Sequence, residues 1–263
     1  MNYLSEFCGS LIFLLGGYAY MCNVSLKKTL VSTLNYVELV IAWSLAVGFG
    51  LTVAAAMGGP ALLNPGVVLG QVIWNGMAVT DALIYLLMEF LAAGAAVALC
   101  MIFFWDSFKA SENESKRGIF SAYPVEKNLP LNFVQEVLAT FLFLFLVFIG
   151  IAGAQTSLTM ATGADTAPYG IALPSLTMGA SPLLIGIVGF GAVALLALSL
   201  NSTGFSMNAM RSVFSSVWFA LLPIPNKNGE KVDWTYQLVV NLIGSSIGGI
   251  LAVIVTSMIT AAL

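Results

Sequence analysis

Histidine is absent from this chain of 263 residues, and charged side chains account for only 8% of it, against about 25% in soluble domains. A water-soluble globule of this length could not cover its surface with so few charges. Nine basic residues against twelve acidic ones provide no phosphate-binding surface, which excludes a nucleic-acid-binding protein. The missing histidine removes the commonest general base and metal ligand. Since no other polar cluster replaces it, we predict no enzymatic activity, no catalytic residues, no metal site and no cofactor.

Cysteine is scarce as well. The three cysteines, Cys8, Cys22 and Cys100, lie in or beside apolar runs without paired spacing, so we interpret them as small core hydrophobes and not as a disulfide framework. A basic leader is also missing, because Met1 to Glu6 lacks the positive region of a signal peptide. We therefore expect the first apolar run to remain as a membrane span.

Long apolar segments are what the chain does contain. Apolar residues make up 59% of it, and the mean hydropathy is +0.97. Six segments are each long enough to cross a hydrocarbon core about 30 Å thick. They lie at about 4–23, 37–57, 82–105, 131–154, 180–200 and 237–262.

Two shorter helical pieces, about 64–75 and 208–221, each begin with an asparagine. Their length at 1.5 Å per residue is at most about 22 Å, which is too short to span a membrane. At membrane depth such pieces are tolerated only when they pack in protein or line a cavity. We therefore predict an all-α membrane protein with six transmembrane helices and two half-helices.

The chain also repeats itself. The segments Glu6 to Phe13 and Glu136 to Phe143 share the pattern E-x-x-small-S/T-x-L/I-F. Each half contains three spans and one half-helix, and an odd number of spans inverts the second half relative to the first. We predict a single domain over 1–263, built from inverted repeats at about 1–128 and 129–263. Such repeats place a solute site near the midplane, where the N-termini of the half-helices meet.

The charged residues are concentrated in the connections between spans. Fourteen of the 21 charged residues lie in three connections, namely Lys27 and Lys28, Asp106 to Lys127, and Lys227 to Asp233. These connections follow the first, third and fifth spans, so we expect them on one side of the membrane. Ionisable residues in apolar surroundings are functional candidates by default. Four residues meet that description: Glu6, Glu89, Glu136 and Arg211.

Three motifs resemble the aquaporins and, within them, the glycerol facilitators, and the resemblance covers nearly the whole chain. Asn64-Pro65-Gly66 is similar to the first Asn-Pro-Ala box of that family. Thr203 to Arg211 is similar to the second box and its arginine. Gly118 to Pro124, followed by Asn132 to Gln135, is similar to the outer loop of the glycerol facilitators.

Four positions depart from the family pattern. Gly66 replaces the alanine of the first box, and Asn208-Ala209-Met210 has no proline. Ser212 stands where an aspartate is usual, and Glu89 where a glutamine is usual. Because alanine is a good helix former, we expect the second half-helix to form, with a less sharply defined start.

The resemblance implies which residues line a pore. Asn64 and Asn208 cap the half-helices and offer amide donors at the pore centre. Trp43, Phe205 and Arg211 form the selectivity constriction. Its fourth position falls near Leu196 or Ala197. A structural ion pair is the alternative role for the arginine.

The resemblance also implies roles for the backbone and the buried carboxylates. Glu6 and Glu136 hold the backbone N–H groups ahead of the half-helices, and Glu89 does similar scaffold work. A proton relay is the competing role for the carboxylates, and contact with solute is an alternative for Glu89. Carbonyl acceptors along the pore are Ala61, Leu62 and Leu63 in the first half and Ser202, Thr203 and Gly204 in the second.

The implied function is a passive channel for small uncharged solutes, glycerol and related polyols first and water second, which excludes ions and protons. The family also implies a homotetramer in the lipid bilayer of a plasma or bacterial inner membrane. Two alternatives stay open. A coupled secondary transporter fits because inverted repeats and buried carboxylates also occur there. A non-conducting structural protein on the same fold is permitted by the altered boxes.

Orientation has two interpretations. The basic residues outside the pore all lie on the side of the three charged connections, which the positive-inside rule would make cytoplasmic. The resemblance makes that side extracellular. We follow the resemblance, because acidic and basic residues are mixed in those connections and the opposite side is nearly uncharged.

Overall fold

The computed structural model describes residues 2–31, 33–162, 202–204, 206–227 and 231–262. Every regular element in these ranges is a helix. The helices are α1 (Tyr3–Ser25), α2 (Tyr36–Ala56), α3 (Pro65–Asn75), α4 (Val79–Phe103), α5 (Trp105–Ala110), α6 (Asn113–Phe120), α7 (Leu129–Thr162), α8 (Ser215–Leu221), which continues directly from a π-helical turn at Met210–Phe214, and α9 (Trp234–Ala261), which is π-helical over Gln237–Gly244.

Five of the described helices are long and apolar enough to cross a membrane: α1, α2, α4, the Leu129–Ala152 part of α7, and α9. Helices are required there, because in lipid a spanning segment must satisfy its own backbone hydrogen bonds. The bounds of these spans lie within three residues of the predicted ones. The predicted span at 180–200 lies outside the described residues. Large side chains such as Leu45 and Phe49 are exposed on the outer surface, as expected where lipid is the solvent.

The three charged connections lie together, as predicted from the two spans between each connection and the next. Lys27, in the first connection, binds Glu112 of the second with 2.7 Å between Nζ and Oε1. Lys127 of the second connection binds Asp233 of the third. The hydrogen bond from Lys27 lowers the pKa of the Glu112 carboxyl. The second connection also contains α5 and α6, which hydropathy did not predict because both are short and polar.

The first half-helix has a sharply defined start and end. Asn64 Oδ1 accepts a hydrogen bond from the Gly66 N–H at 2.9 Å. Pro65 occupies the first helical position, where its missing N–H is not needed. The helix ends at Gly76, whose φ of 72° lies in the left-handed region that glycine adopts without steric cost.

The second half-helix starts in a wider turn. Asn208 Oδ1 accepts from the Met210 N–H at 2.9 Å, and Ala209 has a φ of −62°, so alanine reaches the helical conformation without a proline ring. The following turn, Met210–Phe214, is π-helical. Ser215 Oγ donates to the Met210 carbonyl at 3.1 Å, so a side chain enters the ladder of backbone hydrogen bonds here. The less sharply defined start that the sequence predicted for the second half-helix takes the form of this π-helical turn.

The half-helices are held by long helices, since α3 packs on α9 and α8 packs on α4. The backbones of α3 and α9 approach each other closely at Gly66 and Gly249. A Cβ atom at Gly66 would lie 2.9 Å from the Ser245 carbonyl oxygen and 3.2 Å from the Gly249 Cα. The glycine that replaces the alanine of the first box thus allows two backbones to meet directly.

Replacing Gly66 by alanine is expected to destabilise the protein by about 1–3 kcal/mol, since the new methyl group meets backbone atoms of α9. Thermal unfolding in detergent measures this loss. Gly118→Ala is the matched control, because a Cβ atom there has nothing within 4 Å and alanine favours the helix. Equal unfolding temperatures for the two variants would contradict the close contact of α3 with α9.

Candidate functional site

Asn64 and Asn208 lie side by side in the interior, although 144 positions separate them in the sequence. Asn64 Nδ2 donates to the Met207 carbonyl at 3.0 Å, and Asn208 Nδ2 donates to the Leu63 carbonyl at 2.7 Å. Each asparagine therefore binds the residue that precedes its counterpart. An amide nitrogen carries two N–H donors, so each asparagine keeps a second donor. Both residues border the same cavity.

Leu63 and Met207 share an unusual backbone conformation, with a φ of 47° at each. The left-handed region costs a bulky residue about 1–3 kcal/mol, and it persists only where the surroundings impose it. Buried carboxylates impose it here, because Glu6 accepts from the Leu63 N–H and Glu136 accepts from the Met207 N–H. The two carbonyls are thereby available to the asparagine of the opposite half.

Glu6 and Glu136 are fully buried hydrogen-bond acceptors. Glu6 also accepts from the Leu62 N–H at 3.1 Å, and Glu136 Oε1 accepts from the Met207 N–H at 2.6 Å. Thr140, one turn along α7, donates its hydroxyl to the same oxygen of Glu136 at 3.1 Å. A buried N–H without an acceptor costs about 1–3 kcal/mol. The two carboxylates thus stabilise the non-helical stretches directly ahead of the half-helices.

Glu89 lies on α4, fully buried beside Glu6. Its carboxyl group faces the carboxyl of Glu6 and the backbone N–H of Asn64. Glu89 is also not among the described residues that border the cavity. Its place behind Glu6 favours a scaffold role over contact with a solute.

Arg211 and Trp43 meet in a buried contact. The guanidinium carbon lies 5.2 Å from the centroid of the indole ring, within range of a cation–π attraction. Arg211 Nη1 lies 3.4 Å from the Gly204 carbonyl oxygen. Among the described residues Arg211 Nε has no hydrogen-bond partner and the guanidinium forms no ion pair. The other two predicted members of the constriction, Phe205 and Leu196, lie outside the described residues.

The predicted pore carbonyls of the two halves accept hydrogen bonds from different kinds of donor. In the first half, the Leu63 carbonyl accepts from the asparagine of the other half. The Ser202 carbonyl accepts from Asn132 Nδ2 at 2.6 Å, and the Thr203 carbonyl accepts from the Tyr236 hydroxyl at 3.4 Å. The acceptor that binds an asparagine is instead Met207, which the motifs did not single out. The repeat could have predicted this role for Met207, because Met207 precedes Asn208 just as the predicted acceptor Leu63 precedes Asn64.

An apolar cavity opens on the asparagine pair. Among the described residues, the only polar side chains that line it are those of Asn64 and Asn208. The predicted acceptors Ala61, Leu62 and Leu63 also border it. The remainder of the wall consists of Phe13, Val47, Leu51, Pro60, Phe143, Leu144, Val147, Phe148 and Ile151. Such a site offers donors to a hydroxyl group and an apolar surface to C–H groups.

The fold and this site define a class of protein. Apolar spanning helices enclose two half-helices, whose capping asparagines meet inside the bundle. This is the arrangement of an aquaporin-type, multi-pass integral membrane protein. The family model described as Major intrinsic protein matches residues 1–256, and the chain belongs to that family.

Individual proteins show the same likeness. The chain is 30% identical to the glycerol uptake facilitator protein of Streptococcus pneumoniae serotype 4, over 98% of this chain and 99% of that protein. It is 28% identical to the glycerol uptake facilitator protein 2 of Lactiplantibacillus plantarum, over 95% of this chain and 96% of that protein. The solved aquaglyceroporin from Plasmodium falciparum has a TM-score of 0.71 and 17% identity, over 99% of this chain and 96% of that chain, and so shares the fold.

Proposed function

We propose that the protein is a passive channel for glycerol and related small uncharged solutes, with water as a second permeant. The observation that carries the proposal is the pair of asparagines, which face each other at the ends of two half-helices and border an apolar cavity. A polyol matches this site, because its hydroxyls accept from the amide donors while its C–H groups contact the apolar wall. The relatives named above are glycerol uptake facilitators. Nothing in this chemistry requires an enzymatic step.

The proposed selectivity constriction is built on Trp43 and Arg211. The buried guanidinium keeps donors that replace the water lost by solute hydroxyls. The indole face accepts the C–H side of the solute. Phe205 is proposed as the second aromatic wall, and Leu196 as the fourth position of the constriction.

Ions and protons are excluded by electrostatics in this proposal. The N-terminal end of a helix carries a partial positive charge, and both half-helices direct that end toward the asparagines. Arg211 adds a full positive charge, so cations meet a barrier. A water that accepts from both asparagines is oriented by them and does not pass a proton along a chain of waters.

We also propose that the halves at about 1–128 and 129–263 are inverted repeats of one ancestral unit. Supporting this, each half has a buried glutamate that binds the residue ahead of its asparagine, and that residue has the same φ in both. The protein is further proposed to form a homotetramer in a plasma or bacterial inner membrane. Exposed apolar side chains such as Leu83 and Leu87 on α4 supply a surface for lipid or for a second subunit.

A flux experiment separates this channel from the two alternatives. In proteoliposomes, glycerol uptake measured by light scattering should exceed that of empty liposomes and should not change with an imposed pH or sodium gradient. Uptake that follows a gradient would indicate a coupled transporter. Glycerol and water flux equal to those of empty liposomes would indicate the structural protein.

Replacing Arg211 by alanine is expected to weaken both cation exclusion and discrimination among polyols. The substitution removes the fixed positive charge and the donors beside Trp43. Sodium and proton currents across planar bilayers measure the first effect, and relative permeabilities to glycerol and to longer polyols measure the second. Lys227→Ala is the control. It also removes a cation from the same half, but Lys227 binds the carbonyls at the far end of α8 and not the constriction. Arg211→Ala proteins as ion-tight and as selective as the wild type would contradict the proposed constriction.

A further inference from the structure

We propose that Tyr18 is a positioning residue for the selectivity constriction and that it acts on Arg211 through the π-helical turn. The inference rests on the proposed function, because it concerns which solutes the channel distinguishes. Tyr18 lies on α1, is fully buried, and does not border the cavity.

The hydroxyl of Tyr18 is directed at the backbone of the constriction. It lies 2.6 Å from the Arg211 carbonyl oxygen and 2.5 Å from Ser215 Oγ. Ser215 Oγ in turn donates to the Met210 carbonyl at 3.1 Å. One tyrosine and one serine therefore engage two successive carbonyls of the wide turn.

The ring of Tyr18 supports the aromatic side of the same constriction. It packs edge-on against Trp43, with 6.1 Å between ring centroids and 84° between planes. The preceding residue lies against the same indole, since a Cβ atom at Gly17 would be 2.2 Å from a ring carbon of Trp43. On its other side Tyr18 packs edge-on against Phe120 at 5.1 Å. This part of α1 thus contacts both Trp43 and the backbone of Arg211.

The guanidinium of Arg211 depends on this backbone support. In the described part of the chain it has no ion pair, its Nε has no partner, and its Nη1 has one long hydrogen bond to Gly204. The backbone that carries it begins at Ala209 and not at a proline, whose ring would restrict φ. The position of Arg211 is therefore set by its own main chain and by the indole face of Trp43, and Tyr18 contacts both.

Tyr18→Phe tests the inference, because it removes the hydroxyl and keeps the ring. In proteoliposomes the ratio of glycerol to water permeability should change by about two- to tenfold, the range that one buried hydrogen bond is worth. Amide hydrogen exchange in Met210–Ser215 should become faster. Ser215→Ala should reproduce both effects, since it removes the hydroxyl that binds the Met210 carbonyl and contacts Tyr18.

Ser44→Ala is the matched control. Ser44 is adjacent to Trp43 and is buried as Trp43 is. Among the described residues, its hydroxyl binds only the Val40 carbonyl of its own helix. The control should match Tyr18→Phe in unfolding temperature and keep the wild-type permeability ratio. A Tyr18→Phe protein with the wild-type ratio, or with both permeabilities reduced in proportion, would overturn the inference.

The substitution Ala209→Pro provides a second test. Ala209 already has a φ of −62°, which proline can adopt. With the turn restricted by proline, adding Tyr18→Phe should change the permeability ratio less than it does in the wild type. If Tyr18→Phe changed the permeability ratio equally in the wild-type and Ala209→Pro proteins, the proposed action of Tyr18 through the turn would be overturned. If the wild type passed no glycerol, the proposed function would fail, and hydrogen exchange alone would decide whether Tyr18 holds the turn.

Discussion

Glu6→Leu is expected to abolish glycerol flux and to lower the free energy of unfolding by about 2–6 kcal/mol. The substitution leaves the N–H groups of Leu62 and Leu63 buried without an acceptor, and each such group costs about 1–3 kcal/mol. It also releases Leu63 from the left-handed conformation in which its carbonyl meets Asn208. Light-scattering flux assays and unfolding in detergent measure the two effects.

The controls for this prediction separate a scaffold from a proton relay. Glu38 is exposed in the first turn of α2, and Glu38→Leu should change stability by no more than about 0.5 kcal/mol. Glu6→Gln retains one acceptor oxygen, so it should keep part of both stability and flux. A Glu6→Gln protein with wild-type stability and no flux would show that the carboxylate acts in conduction and not as a scaffold.

Asn208→Leu is expected to reduce glycerol permeability by about tenfold or more. The substitution removes the acceptor that caps the second half-helix at the Met210 N–H. It also removes the hydrogen bond to the Leu63 carbonyl and the donor offered to the solute. A rise of about 1.4 kcal/mol in the barrier gives a tenfold slower rate, and a lost cap alone costs about 1 kcal/mol. Stopped-flow measurements of glycerol and water permeability on the same vesicles test this.

Asn64→Leu should have a similar effect, because the two asparagines form one site. The double variant should then lose less than the product of the two single effects, as coupled residues do. Asn75→Leu is the control, since Asn75 lies at the opposite end of α3 and its side chain binds only Gln71 in the described part of the chain. Independent, multiplicative losses from Asn64→Leu and Asn208→Leu would contradict a shared site.

The spans could be predicted from the sequence because a long apolar segment in lipid satisfies its polar backbone groups internally by forming a helix. The half-helices were predictable for a related reason, since an asparagine at the start of a piece too short to span indicates a cap inside the bundle. The helices α5 and α6 were not predictable in this way. They are short segments of a charged connection, and hydropathy carries no signal for them.

The site was predictable only in part. The asparagines and buried glutamates stand out because polar residues are rare in apolar runs, and the structure brings Glu6 to Leu63 and Asn64 to Met207. The left-handed φ of Leu63 and Met207 could not be foreseen, because bulky residues normally avoid that region. Tyr18 had no signal either. Its partner Arg211 is 193 positions away, and a tyrosine in an apolar run ordinarily indicates core packing.

The central claim is that solutes pass the asparagine pair through the apolar cavity. Blocking the cavity by chemical modification of an introduced cysteine tests this claim most directly. Leu51 on α2 lines the cavity, whereas Leu45 on the same helix is exposed on the outer surface. In a Cys8→Ser background, a thiol reagent should stop glycerol flux through the Leu51→Cys protein and leave the Leu45→Cys protein and the background itself unaffected. The remaining Cys22 and Cys100 are buried, whereas Cys8 is partly exposed. Glycerol flux through Leu51→Cys that survives complete modification would contradict the claim.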